Sequence, residues 1–102
     1  MFVAFGSNAA IADQSACKSA ASIAEAIMTL RQKGIPKYQV TNHFYELIRG
    51  DNKYSKIDVK FVDRMIDVSF NSAIGHSIAE KQEWVSVLKS GAYKWCMGNR
   101  GS

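Results

Sequence analysis

Apolar positions recur along this chain at two spacings, and each spacing predicts a different kind of element. The run Met1 to Phe5 is short and apolar and is followed by Gly6-Ser7-Asn8, which reads as a buried strand ending in a turn. Ala16, Ala20, Ile23, Ile27 and Leu30 then recur three or four residues apart, the spacing that gathers side chains on one helix face. Asp13 or Ser15 can cap the start of that helix by accepting a bond from an otherwise unpaired backbone N–H. Its end is marked by Arg31 and Lys33, which suit the negative pole of a helix, by Gly34 in the C-cap region and by Pro36 beyond it.

Residues 38–48 are rich in β-branched and aromatic side chains and run into Arg49-Gly50-Asp51-Asn52, so the segment predicts a strand ending in a turn. Ile57, Val59 and Phe61 alternate with polar residues, as do Ile66, Val68 and Phe70, but the two alternations are out of phase. On a strand such a phase change requires a hairpin or bulge near Val62-Asp63-Arg64. Ser77-Ile78-Ala79-Glu80 is a capping box that opens a second helix, with Ile78, Trp84, Val85 and Leu88 on one face and Gly91 as its stop. Tyr93 to Met97 then predicts a last short strand. The resulting order, β-α-β-(β)β-α-β over residues 1–102, is that of one α+β domain with a ferredoxin-like plait: an antiparallel sheet with two helices on one face. Ile66, Val68 and Phe70 are expected to point into the core with Ile23, Ile27 and Val85.

Composition bounds the class without changing that picture. With 102 residues, 47% hydrophobic and 22% charged, the chain suits a single globular domain. No run reaches the ~20 apolar residues of a membrane span, and the N-terminus lacks the pattern of a secretory signal, which predicts a cytoplasmic protein. Cys17 and Cys96 make neither a disulfide framework nor a metal cluster, and in that compartment they are expected to be reduced. The net charge of +4 is uneven: Arg31, Lys33, Lys37, Arg49, Lys53, Lys56, Lys60 and Arg64 form a basic third opposed by only Glu46, Asp51, Asp58 and Asp63. These eight residues read either as a solvated rim or, if they converge, as a patch for phosphate, nucleic acid or an acidic partner.

Most catalytic constellations are missing. There is no G-x-x-x-x-G-K-[ST], no G-x-G-x-x-G and no nucleophile elbow, and His43, His76, Cys17 and Cys96 lack the paired short spacings of zinc ligands. No cofactor, metal or catalytic residue is expected, and the balance is against an enzyme.

Two resemblances add expectations. Val3-Ala4-Phe5-Gly6-Ser7-Asn8, the later Val40-Thr41-Asn42-His43-Phe44-Tyr45-Glu46 and the stretch Phe61 to Phe70 resemble the opening strands of 6-hydroxymethyl-dihydropterin pyrophosphokinases, over about residues 3–88. That resemblance implies a ferredoxin-like fold in which Gly6, Ser7 and Asn8 edge a heterocycle pocket and Tyr45 stacks on the ring. The family's Asp-x-Asp metal pair and its later arginines have no counterpart here. Asp63 and Asp67, the nearest substitutes, would lie about 13 Å apart on a strand at ~3.3 Å per residue, too far to share an ion. The order helix, three strands, helix is also similar to a double-stranded-RNA-binding domain, but the turn before the second helix, Gly75 to Glu80, lacks the phosphate-gripping lysines of that family. The sequence therefore favours a small non-catalytic binding module of inhibitor or adaptor type acting on a protein partner. A small heterocyclic ligand, or nucleic acid held by the basic third, are the alternatives; no membrane association is expected.

Overall fold

The structure, a computed structural model, describes residues 14–50, 54 and 57–98. Four helices occupy them: α1 (Gln14–Gln32), α2 (Lys37–Gly50), α3 (Val59–Phe70) and α4 (Ile78–Gly98). No strand occurs among the described residues, so the α+β ferredoxin-like plait is overturned by an all-helical bundle. The strand expected at residues 1–5 and the cap expected from Asp13 lie outside the described residues.

Each correction has a physical reason. Residues 38–48 have strand-forming side chains, yet Val40, Phe44 and Ile48 recur every fourth residue and are the buried positions of α2. Burying that stripe outweighs local β-propensity, which spans only ~1 kcal/mol between residue types and depends on context. In 57–70 the two out-of-phase alternations are the trace of a helix. Phe61, Val62, Met65, Ile66 and Ser69 follow the helical period inward, while Val59 and Val68 are left about two-fifths exposed. Val68 thus leaves the expected core, and Phe70 and Val85 only flank it; Ile66, Ile23 and Ile27 are fully within it. Asp58 starts α3, its carboxylate accepting from Lys60 N–H at 2.9 Å.

The inner face of the first helix and the capping box of the last follow the sequence reading, although Ile78, expected on one face with Leu88, is 76% exposed while Leu88 is buried. Ala16, Ala20, Ile23 and Ile27 are buried. Gly34, with φ +82°, ends α1 in a Schellman turn in which Ile35 N–H bonds Leu30 C=O and Gly34 N–H bonds Arg31 C=O. At α4 the Ser77 hydroxyl accepts from Glu80 N–H, while the Glu80 carboxylate reaches His76 N–H at 2.6 Å, one residue short of the usual reciprocal partner. The expected stop at Gly91 fails. An exposed glycine inside a helix costs only about 1 kcal/mol, and the apolar face continues through Leu88, Ala92 and Cys96, so the residues expected as a last strand complete α4.

α1 is the central helix and packs on all three others; α4 lies antiparallel along its outer side. The two helices are tied covalently. Cys17, fully buried, is bonded to Cys96 with a Cα–Cα distance of 5.5 Å, which corrects the expectation of reduced thiols. The bond closes 79 residues of chain and constrains the unfolded state by about 4–5 kcal/mol in the chain-entropy account. The opposite end of α1 is held by polar contacts. Arg31 donates to Ser72 C=O at 2.9 Å from beside the Phe70 ring, and buried Gln32 bridges the α3–α4 loop, donating to Ala73 C=O at 3.1 Å and accepting from Gly75 N–H at 2.8 Å.

Candidate functional site

The residues singled out by sequence do not form one site. Gly6, Ser7 and Asn8, and the basic residues Lys53 and Lys56, lie outside the described residues. Tyr45 is half-buried on α2, and its hydroxyl donates to the carboxylate of Asp63 on α3. That hydrogen bond, helped by desolvation and by the negative charges of Asp63 and Asp67, holds the Tyr45 hydroxyl above its ordinary pKa of 10.0. Asp63 and Asp67 are one helical turn apart on α3 instead of being spread along a strand, so their Cβ atoms are ~5–6 Å apart and not 13 Å. The pair still does not stand open to a cation. Tyr45 occupies Asp63, and Lys37 Nζ sits 3.2 Å from Asp67 Oδ1. Among the described residues no group of three or more metal-ligating side chains converges.

The basic third is divided between the ends of the bundle. Arg31 and Lys33 are at the C-terminal end of α1, where Arg31 is committed to Ser72, and Lys37 begins α2 in its ion pair with Asp67. Arg49 is exposed in the last turn of α2. Lys60 and Arg64 lie near Ala20, eleven residues back along α1 from Arg31 and therefore about 16 Å away at 1.5 Å per residue.

Lys60 and Arg64 do meet something the sequence reading missed. Together with Ile57 just before α3, Phe61 in its first turn and Trp95 near the end of α4 they line a hollow of ≈ 380 Å³ that Ala20 and Cys96 also border. Phe61 and Trp95 are stacked, their ring centroids 5.9 Å apart, and Trp95 remains 48% exposed. Helical geometry explains the rim: Lys60 and Arg64 are four residues apart and share a face once 57–70 is read as a helix. The only acid among the described residues at the rim, Asp58, already accepts from the Lys60 backbone. The result is an aromatic wall between two cations, braced by a disulfide. Read with the 3.6-residue period, the spacing of Lys60, Phe61 and Arg64 carried this signal; the part played by Trp95 depends on α4 continuing past Gly91, which the sequence did not disclose.

Comparison with known protein families, with curated proteins and with solved structures finds no match to this chain, so the reading of the site rests on its own geometry.

Proposed function

We propose that this chain is a non-catalytic binding module that captures a protein partner, and that the hollow between Phe61, Trp95, Lys60 and Arg64 receives the partner's anchoring side chain. The observation that supports this is the combination at one place of a partly exposed Trp, a second aromatic and an Arg. These are residue types that dominate binding energy at interfaces, particularly where an anchor fills a pocket. A cationic rim around an apolar wall favours an anchor with an acidic neighbour, since carboxylate bonds to Arg are charge-assisted and bidentate. The surrounding bundle supplies rigidity: both helices that carry the wall are fixed, α4 by the Cys17–Cys96 bond and α3 by the buried row from Phe61 to Ser69.

The disulfide also bears on location. Pairs of this kind persist where the surroundings are oxidising, which supports an oxidising compartment as an alternative to the cytoplasm expected from the sequence. No helix of the described residues is long and apolar enough to cross a membrane.

Photo-crosslinking in the native cell tests the proposal. A photoreactive residue at Lys60 or Arg64 should yield a defined protein adduct that is absent when it stands at Val68, on the same helix two turns from Lys60 and one from Arg64. No adduct above the Val68 control, or adducts to nucleic acid alone, would overturn it.

A further inference from the structure

On its α1 side, away from Trp95, α4 borders a second surface that the pocket reading does not use. Two hollows of ≈ 490 and ≈ 400 Å³ lie end to end along the seam between α1 and α4 and share Lys89. The seam runs from Ile78 to Tyr93, about 22 Å at 1.5 Å per residue. Lysines 18, 33, 81, 89 and 94 flank it, and Glu25, already 3.3 Å from Lys89 Nζ, is the only acid among the described residues that line it. The charge is sorted by side, because Glu80 and Glu83 border a different hollow, beside Trp84.

The floor of the seam makes few polar demands. Its centre is the half-buried Val85, with Ala21 further along. The Thr29 hydroxyl donates to Glu25 C=O within α1 at 2.7 Å. The Gln32 amide is consumed by Ala73 C=O and Gly75 N–H. The other polar residues that line the seam, Ser22, Gln82, Ser86 and Ser90, are exposed, so an apolar ridge along Val85 and Ala21 meets Thr29 and Gln32 already satisfied.

We infer that the α1–α4 seam is a docking groove for an acidic amphipathic helix of a partner protein. Two antiparallel helices side by side present a groove that a third helix fills with its side-chain ridge. An extended peptide would bring unpaired backbone donors and acceptors to a surface with no strand edge to satisfy them. The 22 Å length corresponds to roughly fifteen helical residues. Lysines 18, 33, 81 and 94, beside the Lys89–Glu25 pair, select carboxylates on the flanks of that helix, and Val85 and Ala21 select small apolar side chains at its centre. This inference stands apart from the Trp95 hollow, and either can fail without the other.

The test uses the full chain with its disulfide intact and a designed, dye-labelled sixteen-residue helical peptide that has Leu and Ala on one face and Glu on the other. Fluorescence anisotropy should show saturable binding that is at least tenfold weaker for a scrambled peptide of the same composition, and at least tenfold weaker for the Lys33→Glu, Lys81→Glu double variant. Both lysines are exposed or half-exposed and pair with no acid among the described residues, and losing Lys33 at the negative end of α1 is offset by a new acid in the first turn of α4, so the variant's thermal midpoint should stay within a few degrees of the parent chain. Equal binding of the scrambled peptide, an unaffected double variant, absence of binding, or tighter binding of a single-stranded oligonucleotide than of the peptide would each overturn the inference.

Discussion

α1 and α4 are the two longest helices of the bundle, of 19 and 21 residues, and they are used in opposite ways. α1 buries nine side chains and is surrounded by the other helices; α4 buries only Leu88 and Ala92 and leaves Ile78, Val87 and Trp95 at 76%, 59% and 48% exposure. A helix committed to a core concentrates its apolar residues on inward faces. One that also meets a partner has apolar residues on faces the fold does not need. The two are joined by a single covalent bond, so the helix that builds the fold also fixes the helix that displays the surface.

The sharpest way to break this comparison is to cut that bond. Replacing Cys17 and Cys96 together by Ala should lower stability by about 4–5 kcal/mol, a fall in thermal midpoint of roughly 20 °C or more for a domain of this size, read by circular dichroism. A midpoint unchanged by the double substitution would show that α4 is held by packing alone. A smaller contrast comes from matched truncations. Ile27→Ala, at a site with no exposure, should cost on the order of 2–5 kcal/mol in chemical denaturation, whereas Val87→Ala should stay within ~0.5 kcal/mol. Similar losses at both sites would erase the distinction between the helices.

The joint between α3 and α4 offers an intermediate effect. A Cβ at Gly75 would sit 2.8 Å from both the Lys81 backbone nitrogen and the Glu80 Cβ, atoms of the first turn of α4 that cannot swing aside. Gly75→Ala should therefore cost about 1–3 kcal/mol, the usual range for overpacking. The smallest effect is at Tyr45. Its raised pKa means that the fold favours the protonated hydroxyl, so the stability it contributes is complete below the ordinary value of 10.0 and is lost as pH rises through the higher folded value. Unfolding midpoints should fall in that alkaline window, and less steeply for Tyr45→Phe; parallel curves for the two chains would remove Asp63 as the cause.

The same contrast explains what could be read in advance. The inner face of α1 is visible in the sequence because Ala16, Ala20, Ile23 and Ile27 have one period and a Gly-x-Pro stop. The α4 capping box is visible because Ser77 and Glu80 act locally. The sequences of α2 and α3 suggest strands because their short apolar runs also satisfy period-two patterns; what decides between the periods is burial against α1, a long-range term. The Cys17–Cys96 pair was hidden for the same reason. Its partners are 79 residues apart, and only the antiparallel packing of α1 and α4 brings them together. Of the candidate site residues, Lys60 and Arg64 reach the hollow, whereas its aromatic wall needed Trp95 to be helical.

We propose that the surface beside α4 serves binding and not folding. This is tested most directly by titrating the protein captured from Lys60 or Arg64 against the parent chain and against Arg64→Glu, while following thermal unfolding of both. A Kd at least tenfold weaker is expected for the variant, with an unfolding midpoint within a few degrees of the parent. An unchanged Kd, or a Kd that weakens only in proportion to lost stability, would contradict it.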